Sequence, residues 1–227
     1  MRMMVVFEKG APLRHIGHLD LMRTVQRALR RSSLPVKYSN GFNPHIRLSF
    51  AAPLSVGVVG LRELMEVPVE DGLTEEAFVA RMNAVLPSCL QIRFCRMVPD
   101  EFPALMSLVA GADYEIHFEK TVNGRKTAAC FEAFMGLECY VAQRRTKSGE
   151  NPCDIRPFVI DGSCIENDDE YIVSLRTIAT SAGMLKPSLW FDSLCDFAET
   201  SDVNHMIYRK NILAKSADGS LVPMEEV

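Results

Sequence analysis

The chain lacks the short signatures of several familiar chemistries. Gly-x-Gly-x-x-Gly, the phosphate-binding loop, Gly-x-Ser-x-Gly and His-Glu-x-x-His are all absent. Sequence grounds for a dinucleotide site, a nucleoside triphosphatase, a serine hydrolase or a zinc protease are therefore missing. None of the seven cysteines forms a Cys-x-x-Cys pair, and no Cys-x-x-x-Cys-x-x-Cys triplet could hold a radical-SAM iron–sulfur cluster. Their odd number and irregular spacing fit reduced thiols better than a disulfide framework. No apolar run approaches the ~18 residues of a membrane span, and Met1 to Glu8 is too short and too soon charged for a secretion signal. The expectation is a cytoplasmic protein with no membrane partner, no cofactor and no metal. Basic residues are also in deficit: 25 Lys and Arg stand against 29 Asp and Glu, a net charge of −4. That excludes a uniformly basic nucleic-acid coat.

What is present is length, apolar content and an uneven charge. With 227 residues, 48% of them hydrophobic, the chain can bury one large core or two small ones. Residues 1–50 carry nine basic groups (Arg2, Lys9, Arg14, Arg23, Arg27, Arg30, Arg31, Lys37, Arg47) against Glu8 and Asp20, a local +7. The remainder must then sum to −11. Such separation points to one anion-meeting face on an otherwise acidic chain.

Periodicity supplies the elements. Met3, Val5 and Phe7 alternate as a strand, and residues 18–31 follow with helical spacing. Short strands are expected at Val36–Ser39 and Ile46–Phe50, the latter paired with a strand around Met65, Val67 and Val69. Thr74 reads as the N-cap of a second helix, and Leu90, Ile92 and Phe94 as the closing strand. The second half repeats the order: a strand at Tyr114–Phe118, a helix at Lys126–Leu137 and strands at Cys139–Arg145, Asp154–Ile160 and Tyr171–Ile178. An Asp161-Gly162 turn is expected before the last of these, with a helix at Pro187–Phe197 and a strand at Met206–Leu213 after it. The predicted fold is α+β, two tandem ferredoxin-like (split βαβ) subdomains with antiparallel sheets, at 1–98 and 113–227, joined by a 99–112 linker.

The first helix carries the strongest functional signal. At 100° per residue, Leu21, Met22, Val25, Ala28 and Leu29 share one side while Arg23, Arg27, Arg30 and Arg31 share the other. Only Asp20 offsets these four, and Arg23/Arg27 and Arg27/Arg31 are like-charge i,i+4 pairs. Either an external phosphate relieves the repulsion, or acidic residues of the second half do. Split-βαβ topology also predicts that Arg14, His15 and His18 meet Ser39-Asn40-Gly41-Phe42-Asn43-Pro44-His45 at one sheet edge. Arg47 extends that corner. A helix N-terminus beside imidazoles favours an anion. His15, His18 and His45 are also the candidates for acid–base chemistry, with hydrogen bonding that fixes the loops as the alternative role. A weaker basic track comprises Lys120, Arg125, Lys126, Arg144, Arg145 and Lys147. Trp190 sits in a helical apolar pattern and reads as core. His15-Ile16-Gly17-His18 matches the class I aminoacyl-tRNA synthetase tetrapeptide, but no Lys-Met-Ser-Lys-Ser-like loop follows it.

The block Arg14-His15-Ile16-Gly17-His18-Leu19-Asp20-Leu21-Met22-Arg23, with Arg27-Ala28-Leu29-Arg30-Arg31, Leu34-Pro35, Tyr38-Ser39, Gly41-Phe42-Asn43-Pro44-His45 and Leu48-Ser49-Phe50, resembles a radical-SAM-linked domain family of unknown function. Asp154-Ile155-Arg156-Pro157 resembles its second-half motif. The resemblance implies a standalone member acting beside a separately encoded radical SAM protein. A looser architectural similarity, to the CRISPR repeat-processing endoribonucleases, transfers no residue. Together these readings predict a non-catalytic RNA-binding accessory module. Its phosphate-binding set is Arg14, His15, His18, Arg23, Arg27, Arg30, Arg31, Ser39, Asn43, His45 and Arg47. A histidine-dependent endoribonuclease or RNA-modification subunit, and a protein-only adaptor, are the alternatives.

Overall fold

A computed structural model describes residues 1–146, 149–180 and 183–227. The protein is α+β and divides into two compact units, 1–110 with 211–227, and 111–210. No helix among the described residues is long and apolar enough to cross a membrane.

In the first unit β1 (Arg2–Lys9) leads into α1 (His18–Arg31), then β2 (Ser49–Phe50), β3 (Val58–Pro68), α2 (Glu75–Asn83) and β4 (Leu90–Val98). The strand order is β4-β1-β3-β2, each neighbouring pair antiparallel. β1 is central and buried along nearly its whole length, Met3 to Phe7 being at most 1% exposed. The apolar stripe of α1, namely Leu21, Val25, Ala28 and Leu29, joins Met3, Val5, Phe7, Met65, Val67, Phe78 and Met82 in one core. Thr74 caps α2 as its sequence predicts, its Oγ1 accepting from the Ala77 N–H at 3.2 Å.

One expectation in this unit is corrected. The strands read at 36–39 and 46–50 shrink to the two-residue β2 and the isolated bridges Val36↔Val69 and Tyr38↔Ile46. The intervening stretch, centred on Gly41, is a tight excursion without sheet partners of its own. Where a linker was read, α3 (Leu105–Leu108) forms a single turn that buries Leu105.

The second unit contains β5 (Gly111–Glu119), α4 (Val122–Ala129), α5 (Phe131–Met135), β6 (Val141–Thr146) and β7 (Gly149–Asp154). β8 (Val159–Glu166), β9 (Glu170–Ile178), α6 (Pro187–Phe197) and β10 (His205–Lys215) follow. Here the order is β10-β5-β9-β8. β10 runs past the division into the residues of the first unit, where Leu213 to Lys215 pair with β11 (Leu221–Pro223). The expected single helix at 126–137 starts earlier, behind the Thr121 N-cap, and is interrupted at Cys130. The expected strand at 139–145 is instead half of a separate β6–β7 hairpin. Asp161-Gly162 is not a turn: it lies within β8, where Gly162 pairs with Leu175. The reversal falls at Asn167, whose Oδ1 accepts from the Asp169 and Glu170 N–H groups at 3.1 and 2.8 Å. Trp190 is core as read, 1% exposed and edge-on to Phe131 and Phe134.

Candidate functional site

α1 positions four arginines by its own periodicity. Burying Leu21, Val25, Ala28 and Leu29 turns Arg23, Arg27, Arg30 and Arg31 outward, and all four are exposed. Arg23 reaches Asp20 at 3.2 Å, a pair open to water on both sides. Arg31 donates to the Val85 carbonyl at 2.9 Å, which leaves its charge uncompensated. The side chains of Arg27 and Arg30 make no hydrogen bond or ion pair among the described residues. The stripe is thus an open cationic face.

Beside it lies the segment from Tyr38 to Ser49. Gln26 of α1 donates to the Ile46 carbonyl at 3.4 Å, setting the helix flank against this segment. A hollow of about 340 Å³ opens there, lined by Met22, Gln26, His45, Arg47 and Ser49, among others. Its inner side includes an Arg2–Glu66 pair at 2.6 Å, and Ser49 Oγ donates to the second Glu66 oxygen at 2.8 Å. With Glu66 occupied in this way, exposed Arg47 and His45 face solvent at the rim. Ser39 and His45 clamp the base of the excursion. Ser39 N–H donates to the His45 carbonyl at 2.8 Å, His45 N–H donates to Ser39 Oγ at 3.1 Å, and that oxygen lies 2.8 Å from His45 Nδ1. Asn43 is exposed at the tip.

The stretch from Arg14 to His18 is organised from below by Lys9. This lysine is 1% exposed and donates to the Arg14 and Ile16 carbonyls at 3.3 and 3.2 Å. Arg14 also accepts from Gly57 N–H at 2.8 Å through its carbonyl, while its guanidinium donates to the Ala11 carbonyl. His15 is exposed, and His18 packs edge-on against Phe50 with ring centroids 5.3 Å apart. No hydrogen bond or ring contact among the described residues joins His15, His18 and His45 to one another. The arrangement offers charge and hydrogen bonding to an anion.

The second-half motif is a loop-fixing device. Asp154 Oδ1 accepts from Tyr140 and Arg156 N–H groups at 3.0 and 3.1 Å, while Arg156 donates to the Leu137 and Val159 carbonyls at 3.0 and 2.8 Å. Burial works to raise the Asp154 pKa, but the Tyr140 and Arg156 backbone donors, a Cys139 hydrogen bond and the Arg156 charge together hold the carboxyl below its ordinary range. In the weaker basic track, Lys120 pairs with Glu166 and Lys126 with Glu199. Lys147 and the Arg145 side chain lie outside the described residues.

Several participants escaped the sequence reading. Lys9 was counted only as a charge, although a lysine closing a strand just before an irregular loop is suited to collecting loop carbonyls. Gln26, on the flank between the apolar and basic stripes, and the Arg2–Glu66 pair carried no sequence signal. The exposed aromatics Tyr38 and Phe42 stood within the family-like motif, but neither ring had been given a role.

An α+β protein with an exposed arginine face on its first helix is the class these features define. The chain belongs to the family described as "Uncharacterized protein conserved in bacteria (DUF2344)", whose model matches residues 2–187. No curated protein matches it. Among solved structures, the crystal structure of an unknown protein from Galdieria sulphuraria is 11% identical. That match covers 91% of this chain and 97% of the other, with a TM-score of 0.27.

Proposed function

We propose that this protein is a non-catalytic RNA-binding module, with Arg23, Arg27, Arg30, Arg31 and Arg47 holding phosphates. One observation carries the reading: the four α1 arginines are exposed, and the side chains of Arg27 and Arg30 have no hydrogen-bond or ion-pair partner among the described residues. Like charges held four residues apart on a helix are relieved by an external polyanion, and a guanidinium fork matches phosphate oxygens. Ser39, Asn43, His45, Arg14, His15 and His18 extend the donor surface. The strand orders β4-β1-β3-β2 and β10-β5-β9-β8 support reading each unit as a split βαβ, ferredoxin-like scaffold. The module acts in the cytoplasm beside a separately encoded radical SAM protein; that partnership rests on the sequence resemblance in residues 14–50.

Filter binding of the whole chain to cellular RNA across a salt series tests the proposal. Five neutralised phosphates on single strands give a slope of about −3.5 in log affinity against log salt, of which the four α1 arginines supply about −2.8. Undetectable or salt-indifferent binding overturns it.

A further inference from the structure

The excursion between Tyr38 and Ile46 ends in a feature that charge alone does not explain. Phe42 is fully exposed, and Tyr38 is 47% exposed on the same excursion. Gly41 before it has φ +126°, a backbone conformation that other residues rarely adopt, so the tip is built around glycine and delivers the next side chain outward. The Ser39–His45 clamp and the Tyr38↔Ile46 bridge brace the two arms of the excursion. An apolar ring held in water on a braced tip is a poor arrangement for stability alone. Arg47, next to it in sequence, and the α1 face across Gln26–Ile46 supply the complementary charge for one kind of partner, whereas Lys37 lies 3.9 Å from Asp100.

We infer that the ligand is unpaired RNA, with Phe42 stacking on one base, Tyr38 offering a second ring, and the arginines holding the neighbouring phosphates. The inference rests on the RNA-binding reading and narrows it to single strands. Stacking accepts any base because every base has a π-face, and a base already stacked inside a duplex cannot use the ring.

The test compares an unstructured fluorescein-labelled oligouridylate with a blunt RNA duplex of equal phosphate number, binding wild type, Phe42→Ala, Phe42→Trp and Arg27→Ala/Arg30→Ala. Phe42→Ala is expected to weaken oligouridylate binding about tenfold with an unchanged salt slope, and to leave duplex binding as it was. Phe42→Trp keeps the affinity, and its exposed indole is quenched on binding while buried Trp190 is not. The double arginine variant lowers the slope. If Phe42→Ala binds oligouridylate like wild type, or wild type prefers the duplex, stacking is wrong while the phosphate reading stands on the arginine result. If wild type binds neither RNA, both fall.

Discussion

The cations of α1 and those of the second unit follow opposite rules. On β5, β9 and β10, Arg176 forks onto Asp113 at 2.8 and 3.1 Å, Lys210 meets Glu115 at 2.6 Å, and His117 lies 2.8 Å from Glu170. Lys120 and Lys126 likewise have Glu166 and Glu199. On α1, among the described residues, Arg23 pairs with Asp20 and Arg27, Arg30 and Arg31 have no acidic partner. Cross-strand pairing of opposite charges favours the sheet that carries it. The α1 stripe, in contrast, sets like charges four residues apart on the helix that carries it, a repulsion that the proposed RNA ligand would relieve.

The largest effect expected from this contrast is on binding. Replacing Arg23, Arg27, Arg30 and Arg31 together by Ala removes about 2.8 powers of ten in single-strand RNA affinity near 0.1 M salt, taking each phosphate contact at about −0.7 in slope. The matched replacement of Lys120, Lys126, Arg176 and Lys210 leaves affinity within about twofold of wild type. Fluorescence anisotropy reads both. Stability responds in the opposite sense. Arg176→Ala breaks a bidentate pair and leaves the mostly buried Asp113 with less compensation, which lowers unfolding free energy by about 1 kcal/mol in urea titration. Arg27→Ala instead removes two like-charge i,i+4 pairs and substitutes a better helix former, so it stabilises by about 0.5 kcal/mol.

Acid titration gives the smallest effect. Hydrogen bonds from Ser216 and Ser220 pull the Asp218 pKa down to about 2. A carboxyl depressed in the folded state contributes stability above its unfolded pKa of about 3.9 and loses it as pH falls through its folded pKa. The 216–220 turn in wild type therefore loosens between about pH 4 and 2, and amide exchange at Ser220 shows it; Asp218→Ala abolishes that transition. Cys95 behaves in the alkaline direction. Burial, with Glu75 and Glu76 nearby, pushes its thiol up to about 12. The native protein holds that proton after the unfolded chain has lost it, so stability declines from about pH 9 toward 12, and Cys95→Ala flattens this decline.

The legible parts of this molecule were those fixed by local periodicity. α1 ends where its amphipathic pattern ends, α6 begins at Pro187, and Thr74 caps α2. Their signals lie within a few residues of one another and need no distant partner. Strand pairing in the second unit was less readable because it depends on residues far apart. Asp161-Gly162 has turn chemistry, yet cross-strand pairing to Leu175 and Arg176 draws it into β8. The exposed β6–β7 hairpin has no clean alternation to announce which sheet it joins. In the candidate site, the arginine stripe and the residues of the Ser39–His45 clamp could be picked out beforehand. The exposure of Phe42 could not, since an aromatic beside Gly41 reads equally as a core anchor until the backbone shows where it points.

If α1 is the face that meets the RNA phosphates, the salt slope of RNA binding separates the two fourfold variants. The α1 variant then loses about 2.8 from the slope, and the second-unit variant keeps the wild-type slope. Equal slopes for the α1 variant and wild type would contradict it.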